Sequence, residues 1–344
     1  MLAIVKEERK PAAVHVREVS DPRPGRGEVL IRVKSTAICG SDLHAYEYPK
    51  SYGFMKVPVI LGHEYSGIVE AVGSEATLFK PGERVMGESN RYCGVCPNCR
   101  RGRTNICDHN LMTGLHIDGG MAEFIAVPQN IVHRIPEGLS FDEAAVAQPC
   151  SVSFHAVFNN SDIRPDNTVA VFGPGIVGLM AAQGARVMGA SRVVVIGTGA
   201  DARSRLPLAQ KLGFKTINIS EQNLPASFAE LTGRERADVV LECSGAVKAL
   251  PDVVNLTRKG GSITLVGIYG VEAEVHFAPL VRNEIHVKTS YTATWENYEQ
   301  SLNLIASGLV QVGPLINTYP FVEGIQAFED ALAKKTLKPV LQFE

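Results

Sequence analysis

The stretch Val169–Ala181, VAVFGPGIVGLMA, decides the fold. An apolar β-branched run ends at Gly173. Gly173, Gly175 and Gly178 then fall in the G-x-G-x-x-G spacing, and Ile176 and Val177 begin a helical pattern. The motif is weak alone. It gains meaning where it leaves a buried strand and opens a helix. The first glycine permits the tight turn, the second lets the backbone approach a pyrophosphate, and the third lets helix and strand pack closely. The helix N-terminus then presents free N–H groups to the phosphates.

Outward from this turn, strands and helices alternate. RVVVIG, KTINI, ADVVLECSG and GSITLVGIYG read as strands separated by helical stretches, and EIHVKTSYT reads as a sixth strand. Such alternation predicts a parallel, doubly wound sheet. Ser244 and Gly245, with Val266, Gly267 and Ile268, end strands of that sheet and should line the cofactor crevice. The second strand usually ends in an acid that holds the ribose of NAD. Here Gly197 and Thr198 occupy that place, Asp201 lies a few residues on, and Arg203 or Arg205 is available for a 2′-phosphate. The choice between NAD and NADP stays open. WENYEQSLNLIASGLV and VEGIQAFEDALAKK are helical by periodicity, and KPVLQFE is a last strand.

Residues 1 to about 150 have a different rhythm. Short β-branched runs (EVLIRVKSTAI, SGIVEAVG, ERVMG, AEFIAVP) are separated by glycine and proline turns, which predicts an all-β region. The chain's 344 residues suit two domains, and 45% hydrophobic content is enough for two cores. A net charge of −2 argues against a protein that grips phosphate backbones. No apolar run approaches ~18 residues, and the N-terminal sequence has no apolar leader. The expectation is a cytoplasmic protein with no membrane or nucleic-acid partner.

Four of the seven cysteines, Cys93, Cys96, Cys99 and Cys107, fall within one loop, residues 93–107. In a reducing compartment this clustering points to metal before disulfide. Four thiolates satisfy tetrahedral zinc and leave no open position, so the ion would be structural. Iron–sulfur is the competing metal, and Arg100, Arg101 and Arg103 raise the competing reading of a nucleic-acid finger. A second set lies upstream. Cys39 ends a strand-like run, and His63 with Glu64 follow another. Thiolate, imidazole and carboxylate make an open zinc site with room for substrate.

With Cys39, His63–Glu64, the cysteine loop and the Gly173 turn in this order, the chain resembles the zinc-containing medium-chain dehydrogenases over its whole length. ICGSDLHAYEY, VPVILGHEYSGIVEAVG and FKPGERV are most similar to the sorbitol and polyol dehydrogenase branch, with threonine dehydrogenases close by. The resemblance implies a GroES-like catalytic domain over 1–155, a Rossmann domain over 156–289, and a return of 290–344 to the catalytic domain. It implies two zinc ions per chain, one on Cys39 and His63 with Glu64 as a ligand or a carboxylate that moves on and off. It implies NAD(P) as cofactor and oxidation of a secondary alcohol to a ketone. Ser41 matches the hydroxyl that contacts the substrate oxygen, Asp42 the carboxylate that orients His63, and His44 the outer end of a proton relay. An edge strand that pairs across a homodimer or homotetramer is also implied.

The chain departs from the polyol pattern at Gln148-Pro149, where many of those enzymes have Glu-Pro, and Cys150 follows. Gln148 is therefore expected to hydrogen-bond a water on the metal, unless Glu64 supplies the oxygen ligand. Tyr291, Thr292 and Trp295 stand where a polyol-binding arginine is expected, so sorbitol itself is not the expected substrate. A threonine-like amino alcohol is the alternative within the enzyme class, and a non-catalytic binding protein is the alternative outside it.

Overall fold

The computed structural model describes residues 1–343. The chain divides into two compact units. The first comprises 1–149, 294–308 and 312–344, and the second comprises 150–293 and 309–311. The first boundary therefore falls at Pro149, not at 155, and the second at 293–294, not at 289–290. The first shift has a local cause. FDEAAVAQPCSVSF forms one helix, Phe141–Phe154, that runs through the boundary and contains Pro149. The all-β reading of the first 150 residues missed this helix and also Gly40–Glu47.

The first unit is built on a seven-stranded sheet. Its order is Val132–Arg134, Arg84–Gly87, Glu64–Val72, Glu28–Ala37, Lys338–Gln342 and Ile316–Pro320, with Phe124–Pro128 also pairing Glu28–Ala37. In Glu28–Ala37 the alternating Val29, Ile31 and Val33 turn inward, against Tyr65, Val69 and Val127. That period-2 burial is what a strand with one covered face demands. A smaller antiparallel sheet joins Val14–Glu18, Leu2–Lys6 and Val59–Ile60. The C-terminal strand Lys338–Gln342 pairs antiparallel with Glu28–Ala37, setting Val340 opposite Ala37. It also pairs parallel with Ile316–Pro320, a strand that sequence periodicity did not single out.

The second unit is a six-stranded sheet, parallel throughout. Its order is Lys215–Asn218, Arg192–Gly197, Thr168–Phe172, Ala237–Glu242, Thr257–Leu265 and His286–Thr289. Every residue of Thr168–Phe172 is buried, as expected of a central strand covered on both faces. The core gathers Ala170, Phe172, Val194, Ile196, Ile217, Val240 and Ile263 around Phe228. Chain order reverses between Thr168–Phe172 and Ala237–Glu242, and ligands of such sheets bind at the carboxyl ends of the strands at that reversal. No helix among the described residues is long and apolar enough to cross a membrane.

Candidate metal centres and dinucleotide site

Cys39 stands at the N-cap of the helix Gly40–Glu47 in a capping box with Asp42. The Asp42 carboxylate is fully buried and accepts from the Cys39 N–H at 2.9 Å and the Gly62 N–H at 3.2 Å. These two bonds tie the Cys39 segment to the turn that carries His63. Gly62 has a φ of +90°, and a Cβ there would meet the Met121 side chain at 2.5 Å. Only glycine makes this turn without displacing the core. His63 Nδ1 then lies 3.9 Å from Asp42 Oδ1, and its Nε2 lies 3.4 Å from the Ser41 hydroxyl. Burial works against a charged His63, but the Cys39 sulfur and the Asp42 carboxylate outweigh it and lift the imidazole to about 9.

Donor atoms of Cys39, His63 and Glu64 lie within 4.8 Å of one another. One soft and two harder donors at this spacing could hold a zinc ion and leave a coordination position open. The buried Nδ1 of His63 has no hydrogen-bond partner, as for a ring fixed by something besides the protein. His44 is 59% exposed, 3.6 Å from Glu47 and beside the Tyr52 ring. It meets solvent, as the end of a proton relay must.

Two expectations for this centre change in detail. Gln148 is buried, and its side chain is hydrogen-bonded to the Tyr298 hydroxyl, which also meets the Ser89 N–H at 3.1 Å. The amide is thus held by the protein itself. Glu64 is also engaged. Both its oxygens lie against the buried Lys338 ammonium, Oε1 at 2.7 Å and Oε2 at 2.5 Å. Sequence reading missed Lys338, although a lysine heading an otherwise apolar strand, KPVLQ, is a usable signal.

The Cys93–Cys107 loop closes on itself with no disulfide, and all seven cysteines are free thiols. The sulfurs of Cys107 and Cys93 are 3.6 Å apart, and those of Cys96 and Cys107 are 3.9 Å apart. Tetrahedral Zn–S bonds of about 2.3 Å put neighbouring sulfurs about 3.8 Å apart, so the cradle has the size of a zinc ion. Backbone N–H groups point at the sulfurs, Cys96 to Cys93 and His109 to Cys107, both at 3.3 Å. Bonds from the Val95 and Cys96 amides bring the Cys93 thiol down to about 7, while burial pushes Cys99 up to about 12. Cys150 is buried, as expected of an inert thiol.

In the second unit the Gly173 turn has the geometry its sequence implies. Gly173 has a φ of +93°, and a Cβ there would come within 2.8 Å of Ser244. A Cβ on Gly178 would lie 1.9 Å from the Gly173 carbonyl oxygen. Gly175 differs, because a Cβ there would meet nothing within 4 Å. Its bareness serves no protein contact, which fits a cradle left open for a pyrophosphate at the start of Ile176–Val187. Ser244 and Gly245 are fixed by Glu242, which is fully buried and accepts from the N–H groups of both and from Tyr269. Gly245 and Gly267 pack against each other's backbone, and Ile268 is exposed beside them. Glu242 is a second residue that motif reading passed over.

At the end of Arg192–Gly197 the backbone enters a 3₁₀ turn, Gly199–Asp201, capped by Thr198. Asp201 Oδ2 accepts from the Thr198 N–H and Oγ1, both at 3.0 Å, and Oδ1 faces Arg205 at 3.5 Å. Asp201 is 7% exposed. It serves the turn. Arg203 remains exposed.

The alcohol dehydrogenase GroES-like domain family matches residues 25–137, and the zinc-binding dehydrogenase family matches residues 177–307. An L-threonine 3-dehydrogenase of Anaeromyxobacter sp. (strain K) is 34% identical, covering 100% of this chain and 99% of that protein. A sorbitol dehydrogenase of Halalkalibacterium halodurans is 34% identical, covering 99% of each. Among solved structures, the alcohol dehydrogenase TADH from Thermus sp. ATN1 superimposes with a TM-score of 0.91 at 31% identity, covering 100% of both chains.

Proposed function

The chain belongs to the zinc-dependent medium-chain alcohol dehydrogenase family, and from that premise we propose that it oxidises a secondary alcohol of the polyol, sugar-alcohol or sugar-acid class to a ketone with NAD(P). The observation that carries the reading is the open donor set of Cys39, His63 and Glu64 with Asp42 buried behind it. A second zinc in the Cys93, Cys96, Cys99 and Cys107 cradle is structural in this reading. When bound, the zinc at Cys39 supplies a Lewis acid to the substrate hydroxyl and the nicotinamide supplies a two-electron acceptor.

The remaining work falls to side chains of the chain. Asp42 stands 3.9 Å behind the His63 ring as an anionic neighbour and keeps the Cys39 and Gly62 segments in register. Ser41, beside His63, is placed to take the substrate's hydroxyl proton, and exposed His44 to pass it to water. Gly175 makes room for the cofactor's pyrophosphate, Gly173 makes the turn that reaches it and Gly178 lets helix and strand pack, while Ser244, Gly245, Val266, Gly267 and Ile268 line the cofactor's crevice. Asp201 is tied inward while Arg203 stays exposed, which supports NADP as the better-held dinucleotide.

The acids near this centre within the first unit support a substrate without an ammonium group over an amino alcohol. Asp42 is engaged with backbone amides, Glu64 with Lys338 and Glu88 with His133. The threonine-acting relative nevertheless places threonine on the test panel. Exposed Val281 and Val287, at and beside the edge strand His286–Thr289, support a homo-oligomer.

The test is reduction of NAD and of NADP by zinc-replete protein, given polyols, sugar acids and threonine in turn. The expected result is turnover with a polyol or sugar acid that a chelator and Cys39→Ser both abolish. Turnover with threonine alone would overturn the substrate class. A protein that holds zinc and dinucleotide but turns over none of the panel would remove the proposed reaction.

A further inference from the structure

Lys338 opens the last strand and is 1% exposed. Its Nζ donates to the Ile38 carbonyl at 2.9 Å and to Glu64 Oε1 at 2.7 Å, with Oε2 at 2.5 Å. Ile38 precedes Cys39 and Glu64 follows His63, so one ammonium joins both segments that bear metal donors. The Glu64 side chain is fully buried. Its two oxygens share a single cation away from bulk water, and that cation competes with a divalent ion for the same lone pairs. Yet the Glu64 donor oxygen lies within 4.8 Å of those of Cys39 and His63. A small displacement would carry it onto a metal held by the other two.

We propose that Lys338 is a positioning residue that sets the ligand shell of the Cys39 centre by holding Glu64 as its counter-ion, beside the metal and off it. The inference rests on the reading of Cys39 and His63 as metal ligands. With the ammonium in place, Cys39 is the one uncompensated anion offered to the ion. Without it, a buried carboxylate is left unpaired, which is costly, and the nearest cation available is the metal. Lys338 thereby keeps a coordination position free for substrate and preserves the charge that makes the metal acidic.

The test is cobalt substitution of the full chain, with the spectrum of cobalt-loaded Cys39→Ser subtracted to isolate this centre. Wild type should show the intense visible absorption of four-coordinate cobalt. Lys338→Met should weaken that absorption by adding an oxygen donor, and should raise zinc affinity at this centre by about tenfold or more, the usual size of such outer-ligand effects. Lys338→Met/Glu64→Gln should restore the wild-type spectrum. Lys338→Gln, which keeps a donor for the Ile38 carbonyl, should repeat the result if the methionine variant does not fold. A wild-type spectrum in both single Lys338 variants would overturn the proposal, as would Glu64→Gln alone changing the spectrum as much as Lys338→Met. If wild type and Cys39→Ser take up cobalt identically, the metal centre falls and Lys338's role falls with it. Unchanged Lys338 variants in a protein that does hold cobalt remove the Lys338 role alone.

Discussion

Replacing His133 by phenylalanine should destabilise the first unit more than any surface change. The His133 side chain has no exposure. Nε2 lies 3.0 Å from Glu88 Oε1, and Nδ1 lies 2.6 Å from Glu299 Oε1. Its ring stacks on Tyr298 at 5.2 Å and is tilted against Trp295 at 5.2 Å. Phenylalanine preserves the aromatic packing but strips Glu88, 2% exposed, of its counter-charge. Breaking a buried pair from one side costs about 3–5 kcal/mol, and the exposed share of Glu299 favours the lower end. At ~2–4 °C per kcal/mol for a unit of this size, the midpoint should fall by roughly 6–12 °C. Burial opposes charge on His133, but the flanking Glu299 and Glu88 carboxylates overcome it and raise the imidazole's pKa. Burial raises Glu88 as well; the imidazole, flanked by two carboxylates, takes the proton. A raised folded pKa means the stabilisation is complete below the unfolded value, about 6.5, and is lost as pH rises through the folded one. The difference between wild type and His133→Phe in calorimetry should therefore be largest at pH 6 and shrink on the alkaline side. His133→Phe/Glu88→Gln should recover part of the loss, because a neutral amide costs less to bury. A midpoint change under about 2 °C at pH 6, or no recovery in the double variant, would refute the charged-pair account.

Two further outcomes separate packing from ligand binding. Gly175→Ala should fold with an unchanged melting midpoint, since its Cβ meets no protein atom and φ is −73°, yet bind dinucleotide at least about tenfold more weakly by fluorescence titration; Gly178→Ala, whose Cβ would overlap the Gly173 carbonyl, should melt earlier instead. Cys99→Ser should release zinc from the cysteine loop, seen as one metal fewer per chain by mass spectrometry, and lower the melting midpoint; unaltered metal content would contradict the four-sulfur cradle.

Much of this protein is determined by its sequence alone. A β-branched run into G-x-G-x-x-G marks a strand, a turn and a helix because only glycine tolerates a φ of +93° and so close an approach. Cysteines separated by two intervening residues converge on one centre because a short loop leaves them nowhere else to point. Both signals are local, and both stand in the structure where their spacing puts them. The helix Phe141–Phe154 was hidden because Pro149 and the surrounding β pattern mask its period. The partners of the candidate residues were hidden for a deeper reason. Lys338 meets Glu64 across 274 residues, and Tyr298 meets Ser89 across 209. Those meetings exist only because the C-terminal strand pairs with Glu28–Ala37 and the helix Trp295–Ala306 returns to the first unit. Spacing along the chain carries the identity of the donors. Which of them are already spoken for depends on burial and strand pairing, because a charge removed from water takes whatever partner the folded backbone brings within reach.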